Sequence, residues 1–511
     1  MSTALCESPY HRYTSEEYAV MACTGVIEAS TTFCAKKGKG TKIVGACYCT
    51  NIPEMGSLLT CLHTNDYYNN KMVSYLGRQC SEVYPNTTLD AQFFDKVYQN
   101  ASQYIITPGS DFNSSLISYS PITVKSKKVK TYYKAYYVRW NNFTLALNLG
   151  AGFYGLMGFF MLGSAIVNWT TVIFPGFAQK FNGTSSKWFR KYVTLTAAFK
   201  KDRNVPLKFF GVPVALIPTR MESIIVFLLW TYMILASSIG YKHVEGNPIW
   251  KRPMAELGRI VSDRTGVLAL ITYPMLILFA GRNNFLIYIT RWNFSRFNIY
   301  HRNVSRMFFL LSTVHGVAIS ISAFGISPDK YSGRMKKEAV IWGTVATILM
   351  GFMMIQGMLV LRRKSYETFL IIHIVFAVFV LIGTHFHIVP YSYDGFTWSV
   401  VGLWVLDRAV RLLSIARFGI KDANVTLISG ETLKVTVPKP RHWNAKPGQY
   451  AFVSFMTPLC FWQSHPFTMI TETESEISFA IKVKGGVTLS LYKHLVSMPS
   501  QTATIKVCVE G

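Results

Sequence analysis

The chain has 511 residues, of which 50% are hydrophobic, 14% are aromatic and only 15% are charged. This composition is typical of a polytopic membrane protein with soluble portions. The formal net charge of +26 would suit a nucleic-acid partner, but the basic residues are spread between apolar segments and form no compact run. We therefore expect no binding to nucleic acid and assign the positive charge to loops beside a lipid bilayer.

Residues 1–146 are predicted to form an extracellular, cysteine-rich region. They are polar and contain seven of the nine cysteines: Cys6, Cys23, Cys34, Cys47, Cys49, Cys61 and Cys80. Glycosylation sequons begin at Asn86, Asn100, Asn113 and Asn142. Together these features indicate an oxidising, glycosylating compartment. A zinc site at Cys47-Tyr48-Cys49 is the disfavoured alternative, because this spacing is shorter than Cys-x2-Cys. Cys6, nearest the terminus, is expected to be unpaired, and the pairing of the other six stays open.

An external amino terminus normally follows a signal peptide, yet Met1 to Val20 is polar and lacks an apolar core. Either the first membrane helix exports the tail, or the chain lacks its original start. We favour the second explanation.

Residues 147–415 are predicted to form a membrane domain of about seven helices. Its apolar segments are centred roughly on residues 148–172, 222–241, 265–281, 303–326, 339–361, 367–389 and 396–415. The loop after the first segment is rich in lysine and arginine and has Asp202 as its single acid. Further basic residues follow the third and fifth segments, so the amino terminus is predicted to be extracellular and the carboxyl terminus cytoplasmic. Loop 327–338 is an exception, since it is basic but lies on the predicted outer side.

Two of these segments carry histidines at matched spacing. His301 and His315 belong to the fourth segment and His373 and His387 to the sixth. Fourteen residues of helix make about 3.9 turns and a rise of roughly 21 Å, so both members of a pair share one face. Both segments run outward in the predicted topology, so His301 should face His373 and His315 should face His387. This geometry suits two b-type haems, each held by two neutral imidazoles.

The alternative is that these histidines are polar core residues or line a pore, but neither role requires matched spacing, and polar side chains in a membrane span usually serve a function. His385 has no partner at this spacing. We interpret it as a spectator near the outer surface.

Residues 416–511 are predicted to form a small antiparallel barrel. Residues 432–437 and 477–483 alternate apolar and polar side chains with a period of two, which is typical of strands. The region also contains Pro447-Gly448-Gln449-Tyr450, His465-Pro466-Phe467-Thr468 and Lys484-Gly485-Gly486-Val487-Thr488. A glycine pair lets backbone amides approach a phosphate closely, although such a pair between strands is more often only a turn.

On these residues the chain resembles the yeast-type ferric reductases, which are plasma-membrane ferric- and cupric-chelate reductases related to the NADPH oxidases. The resemblance covers nearly the whole chain. The four histidines match the paired haem ligands of the family, and residues 280–284 match a segment at the inner end of its third helix. The run from Ser464 to Thr468 is similar to the flavin signature, in which His465, Pro466, Phe467 and Thr468 would lie against the isoalloxazine and ribityl groups. Residues 482–488 resemble the segment near the FAD pyrophosphate, which assigns that role to Lys484, Gly485, Gly486, Val487 and Thr488.

The resemblance implies a polytopic α-helical membrane protein with a bis-haem core, followed by a cytosolic β-barrel of the ferredoxin-reductase FAD-binding type. It also implies that electrons pass from cytosolic NADPH through FAD and two haem b groups to extracellular Fe(III) or Cu(II) chelates, for iron and copper uptake. Arg408 and Arg411, at the inner end of the seventh segment, would either anchor the topology or neutralise haem propionates or an FAD phosphate.

The carboxyl terminus departs from the family pattern. In the family the barrel leads into an NADPH-binding domain, whereas this sequence stops at Val509-Glu510-Gly511 with no βαβ pattern. We expect the nicotinamide site to be absent from this chain, which would make it a fragment or make it depend on a partner reductase for electrons. The alternative functions are a superoxide-producing NADPH oxidase and a non-catalytic, haem-containing partner.

Overall fold

The computed structural model describes residues 11–34, 47–81, 83–84, 86–108, 117–199, 206–441, 443, 448–458, 461–473 and 475–511. The chain forms an amino-terminal helical domain, a bundle of long apolar helices and a carboxyl-terminal barrel. Cys6, Asn113 and Pro447, which carry sequence predictions, lie outside the described residues.

The amino-terminal domain is helical and cross-linked. Its described helices are α1 (Ser15–Ser30), α2 (Cys47–Thr50), α3 (Ile52–Thr64), α4 (Asn70–Cys80) and α5 (Ala91–Gln103). Disulfides join Cys23 to Cys61, Cys34 to Cys47 and Cys49 to Cys80. Both cysteines of the disfavoured zinc motif are therefore oxidised and offer no thiolate to a metal. The six cysteines predicted to pair do so, and the structure supplies the pairing that the sequence left open.

A buried carboxylic acid in this domain predicts a pH-dependent stability. Glu54 in α3 is 3% exposed, and burial, together with Glu28, raises its pKa from 4.5 to about 7. The folded chain keeps this proton between those pH values while the unfolded chain releases it. The stabilisation is therefore full below pH 4.5 and is lost as the pH rises through 7. The loss amounts to about 3 kcal/mol.

We expect hydrogen exchange in α3, corrected for intrinsic rates, to show less protection at pH 8 than at pH 5, by about 2.5 kcal/mol of opening free energy. Glu54→Gln should remove most of this pH dependence, and Glu28, whose pKa burial also raises, accounts for the remainder. Equal protection of the unmodified chain at both pH values would contradict the prediction.

The bundle follows in chain order. It contains α6 (Ser126–Ile173), α7 (Pro175–Lys180), α8 (Thr184–Phe189), a π-helical turn (Arg190–Thr194), a hairpin of β1 (Leu207–Phe209) and β2 (Val212–Ala215), α9 (Arg220–Ser238), α10 (Pro253–Ala280), α11 (Phe285–Thr290), α12 (Phe294–Ile326), α13 (Pro328–Met335), α14 (Glu338–Gln356), α15 (Leu359–Lys364), α16 (Tyr366–Ile388), a 3-10 turn (Val389–Tyr391) and α17 (Gly395–Phe418).

Among the described residues, six helices are long and apolar enough to cross a membrane, namely α6, α9, α10, α12, α14 and the span that begins with α16. The seventh predicted segment forms α17, which carries Asp407, Arg408 and Arg411 and leads directly into the barrel. The fifth predicted segment is interrupted, because α14 ends at Gln356 and the short helix α15 follows. Helix α6 runs without a break across the predicted domain boundary between residues 146 and 147.

Helix α10 begins at Pro253, well before the predicted start near residue 265. Its polar first half can be buried because its charges have partners. Arg259 Nε lies 2.8 Å from a carboxylate oxygen of Asp263, and Arg264 Nε donates to Asn142 Oδ1 at 2.9 Å.

The same contacts correct one sequence prediction. The amide of Asn142 also donates to the Ile260 carbonyl at 2.9 Å, and its side chain is only 4% exposed. Glycosylation at Asn142 was therefore a wrong prediction, because this side chain joins α6 to α10 inside the bundle. The acceptor residues Asn86 and Asn100 are exposed.

The barrel has strands β3 (Ile420–Ser429), β4 (Thr432–Pro438), β5 (Tyr450–Phe455), β6 (His465–Glu472), β7 (Glu476–Lys482) and β8 (Thr502–Glu510), with helix α18 (Gly486–Val496) between the last two. The described strands close in the order β3-β4-β7-β6-β5-β8, and every pairing is antiparallel. Leu433, Val435 and Val437 are fully buried, as period-two alternation predicts. The predicted fold, a helical membrane bundle followed by an antiparallel barrel, is confirmed.

Candidate functional site

The four histidines form two pairs inside the bundle. Ring centres lie 6.3 Å apart for His301 and His373 and 5.9 Å apart for His315 and His387, so α12 and α16 run in the same direction. A metal–imidazole bond is about 2 Å long and the ring centre lies about 1 Å beyond the nitrogen. Two imidazoles on opposite sides of one metal ion therefore have ring centres about 6 Å apart. Both pairs fit a bis-imidazole iron, and haem ligation remains the prediction.

Hydrogen bonds orient three of the four rings. In each, the Nδ1–H donates to a helix carbonyl, which fixes the neutral tautomer and leaves the Nε2 lone pair for a metal. The distances are 3.0 Å from His301 to Leu276, 2.8 Å from His315 to Ser262 and 2.7 Å from His387 to Ala339. Nδ1 of His373 is buried and has no hydrogen-bond partner among the described residues. His385 stands outside both pairs, with its Nδ1 2.8 Å from Thr397 Oγ1.

Two glycines let the outer-pair imidazoles approach the neighbouring helices. A Cβ on Gly266 would lie 2.6 Å from His315 Nδ1, and a Cβ on Gly343 would lie 2.6 Å from His387 Nδ1. Each glycine follows the accepting residue, Ser262 or Ala339, by four positions, which is about one turn of helix. The edge of the imidazole ring therefore contacts a single turn of the neighbouring helix. Even alanine at these positions would require the histidine or the helix to move.

Sequence reasoning missed these glycines, although the sequence carries a signal for them. Fourteen residues after Gly266 stands Ala280, and fourteen residues after Gly343 stands Gly357. Small residues in α10, and in α14 and the position just after it, therefore repeat at the spacing of the histidines. Because α10 is antiparallel to α12 and α14 to α16, this spacing places a small residue at the level of each histidine.

A large cavity lies beside His301 and His373. Its volume is about 1780 Å³, larger than the roughly 300–1,000 Å³ of a typical ligand pocket. Apolar side chains and several cations line it, and the cations are Arg302, Arg306, Arg362, Arg363 and Arg408. Guanidinium groups suit carboxylates such as haem propionates. The cavity therefore offers a histidine pair, an apolar wall and partners for anionic substituents.

Glu510 joins the barrel to the bundle. This carboxylate ends β8, is only 5% exposed and accepts a hydrogen bond from Asn283 Nδ2 at 2.9 Å. Its oxygens also lie 3.5 Å from Arg282 Nε and 3.3 Å from Arg411 Nε. Burial lowers the pKa of Arg282 to about 10, and Glu510 opposes that shift. Arg411 thus has a protein partner, and Arg408 has one in Asp407 at 2.6 Å.

We expect Glu510→Gln to loosen the barrel from the bundle. Removing one member of a buried ion pair leaves buried charges unpaired and typically costs about 3–5 kcal/mol. Limited proteolysis of the connection near residue 419 should be faster in this variant. Asp422→Asn is the matched control, because it breaks an exposed pair with Lys506, 3.1 Å apart, of the kind that contributes about 0–1 kcal/mol. Equal cleavage rates in the two variants would contradict the prediction.

The predicted flavin signature forms the start of β6, where His465, Pro466, Phe467 and Thr468 pair with β5. Pro466 and Thr468 are exposed, while His465 and Phe467 are half-buried. His465 Nε2 lies 3.8 Å from Glu367 Oε1 in the first turn of α16. Six residues further along that helix, a rise of about 9 Å, stands His373. The signature strand therefore contacts the helix that carries an inner-pair histidine.

Arg282 reinforces this contact, since it donates to Ser464 Oγ at 3.2 Å and its guanidinium lies 4.3 Å from the centre of the Phe452 ring. It belongs to the 280–284 segment that the resemblance singled out. The segment thus lies at the junction of bundle and barrel.

The predicted glycine turn is the start of α18. The backbone amides of Lys484 and Gly485 donate to Thr488 Oγ1 at 3.1 and 3.4 Å, and Gly486 has φ +53°, which favours glycine. Val487 and Thr488 are buried. Because β6 and β7 are antiparallel, this turn lies at the same end of the barrel as His465. A helix amino terminus there suits a phosphate.

Two regions of the chain match known families. Residues 265–384 match the ferric reductase like transmembrane component family, and residues 417–511 match an FAD-binding domain family. Over 395 residues the chain is 41% identical to the probable ferric reductase transmembrane component of Candida albicans, an alignment covering 77% of this chain and 59% of that protein. A ferric/cupric reductase transmembrane component 1 of Candida albicans is also 41% identical over 395 residues, covering 77% of this chain and 52% of that protein.

A longer alignment exists with the ferric/cupric reductase transmembrane component 2 of Saccharomyces cerevisiae. It is 31% identical over 509 residues and covers 96% of this chain and 69% of that protein. The chain therefore spans between 52% and 69% of the length of these three relatives.

Proposed function

Because the chain belongs to the family of ferric/cupric reductase transmembrane components, we propose that it moves electrons outward across the plasma membrane to Fe(III) and Cu(II) chelates. The electrons originate from cytosolic NADPH, and the resident cofactors are FAD and two haem b groups. The chain spans 59% of one relative and 52% of another, so the NADPH step is proposed for the whole enzyme.

The observation that carries this proposal is the pair of histidine couples, with ring centres 6.3 and 5.9 Å apart. His301 and His373 would hold the haem nearer the barrel, and His315 and His387 would hold the other. When bound, FAD would supply the conversion of a two-electron donor into single electrons, and haem iron would supply one-electron transfer. The carbonyls of Leu276, Ser262 and Ala339 keep three imidazoles neutral and oriented.

The barrel residues would hold the flavin against the bundle. His465, Pro466, Phe467 and Thr468 would lie beside its ring system, and Lys484, Gly485, Gly486, Val487 and Thr488 would offer the helix amino terminus to its pyrophosphate. Glu510, Arg282 and Arg411 keep that end of the barrel against the helices. The contact of His465 with Glu367 supports this arrangement, because it joins β6 to the helix that carries His373.

We propose an orientation of the chain in the membrane and three functional regions. Residues 1–146 are extracellular, 147–415 form the haem-binding membrane domain, and 416–511 form the cytosolic FAD domain. The basic residues after α6 and in α15 support this orientation, and the disulfides support an oxidising exterior for the amino-terminal domain.

Vesicles containing the purified chain, with dithionite trapped inside and Fe(III)–EDTA outside, test the function. We expect external Fe(II) to form under argon, and His373→Ala to abolish its formation. Formation of superoxide in air, together with failure to reduce the chelate under argon, would favour the oxidase alternative. Reduction no faster than in protein-free vesicles would contradict electron transfer by this chain.

A further inference from the structure

The short helix α13 and the turn after it are strongly basic. Residues 327–338 carry four cations, Lys330, Arg334, Lys336 and Lys337, against the acids Asp329 and Glu338. The three lysines are exposed. Basic residues normally accumulate on the cytoplasmic side of a membrane protein, yet this segment is at the opposite end of the bundle from the barrel. Topology therefore does not account for these charges.

Lys337, the last of these lysines, stands close to the outer histidine pair. Lys337 precedes Ala339 by two residues, which separates their Cα atoms by at most about 7 Å. The carbonyl of Ala339 accepts the hydrogen bond from His387 Nδ1 at 2.7 Å. The exposed basic turn therefore lies within a few ångströms of the helix turn on which a candidate haem ligand rests.

Arg334 continues the basic surface inward. It is half-buried, and burial and the charge of Arg259 lower its pKa, while Tyr391 and Asp263 oppose that shift. The Tyr391 ring lies 6.1 Å from the His387 ring. The guanidinium groups of Arg334 and Arg259 carry two positive charges and Asp263 carries one negative charge. A net positive charge therefore lies between the exposed lysines and the histidine pair.

We propose that Lys330, Lys336 and Lys337, the basic exit surface, dock anionic Fe(III) chelates at the outer histidine pair. The inference rests on the proposed function and names the charge class of its substrate. A cluster of one sign raises the local concentration and the association rate of ligands of the opposite sign. Each transfer moves one electron from the reduced protein to the chelate, whose Fe(III) becomes Fe(II), and no bond forms or breaks.

Stopped-flow mixing of the dithionite-reduced full chain with two acceptors tests the proposal. Fe(III)–EDTA is a monoanion and hexaammineruthenium(III) is a trication. The test variant carries Lys330→Ala, Lys336→Ala and Lys337→Ala. At about 10 mM ionic strength, we expect this variant to reduce Fe(III)–EDTA about tenfold more slowly and the ruthenium complex faster. Near 1 M salt the difference should almost disappear.

The matched control removes the same charge elsewhere. Lys127, Lys128 and Lys130 are exposed near the start of α6. They stand sixteen to nineteen residues, or about 24–28 Å of helix, before the level of Ala146, which packs near the turn containing Gly266. At about 100 mM ionic strength, where the Debye length is about 10 Å, changing these three lysines to alanine should alter either rate by less than about twofold, because screening is nearly complete over that distance. The basic-surface variant is compared with this control at the same ionic strength.

Different outcomes test the docking surface and the proposed electron transfer separately. Unchanged rates in the basic-surface variant, or equal losses in the two triple variants, would overturn the docking surface while leaving electron transfer intact. Slower reaction with both acceptors would also overturn it, since charge selectivity is the claim. A chain that holds haem but reduces neither acceptor would contradict the proposed function itself.

Discussion

Changing His315 and His387 together to alanine is expected to remove about half of the haem from the purified chain, because one of two bis-imidazole sites is lost. The remaining haem should keep a b-type spectrum, since His301 and His373 are untouched. The pyridine haemochrome assay gives haem per protein directly. The complementary double variant, His301→Ala with His373→Ala, should lose the other half.

His385→Ala is the matched control for this prediction. This histidine lies two residues from His387, but its Nδ1 contacts Thr397 Oγ1 at 2.8 Å. Its ring lies 5.5 Å from the Trp398 ring in α17 and is not paired with another histidine. The variant should retain the full haem content. Loss of haem on changing His385, or full haem content after loss of His315 and His387, would show that the ligands are assigned wrongly.

Gly343→Ala is expected to weaken the same outer site without removing a ligand. The added methyl group would lie 2.6 Å from His387 Nδ1, so the ring must move and its hydrogen bond to the Ala339 carbonyl is strained or lost. Loss of a hydrogen bond that orients a metal-ligating histidine commonly lowers affinity by about 10–100-fold. Haem retention during dilution, followed by absorbance, and the reduction potential of the remaining haem both report this change.

Gly316→Ala controls for the general effect of replacing glycine in a membrane helix. It adjoins His315 in α12, yet nothing lies within 4 Å of a Cβ added there. We expect this variant to hold haem as the unmodified chain does. If Gly343→Ala binds haem with unchanged affinity and potential, the close approach of His387 to α14 has no role in the site.

The histidine pairing was predictable from sequence because spacing in a helix has a direct geometric meaning. Fourteen residues return to the same face, so His301 and His315 had to share one side of α12. The barrel was predictable for a similar reason, since strands such as 432–437 alternate with a period of two. Gly266 and Gly343 escaped because a lone glycine in an apolar helix has many explanations, and only their match to the histidine spacing distinguishes them.

Other features depend on contacts between distant residues. The start of α10 looks too polar for a membrane helix until Asn142, over a hundred positions earlier in the chain, is seen to accept from Arg264. The local sequence around Asn142 matches a glycosylation sequon, whereas in the folded chain its side chain is buried and hydrogen-bonds α6 to α10. Glu510 meets Asn283, which is 227 positions away, and no local pattern could connect the two. Disulfide pairing likewise depends on contacts between residues that are distant in sequence.

Low-temperature electron paramagnetic resonance of the oxidised chain, combined with its haem-to-protein ratio, tests whether the chain holds two bis-imidazole haems. We expect two haems per chain, each low-spin, because each iron would have two imidazole ligands. We also expect the change of His315 and His387 to remove one low-spin signal and to leave the other. A purified chain without haem, or with a high-spin haem that lacks a second imidazole, would contradict these expectations.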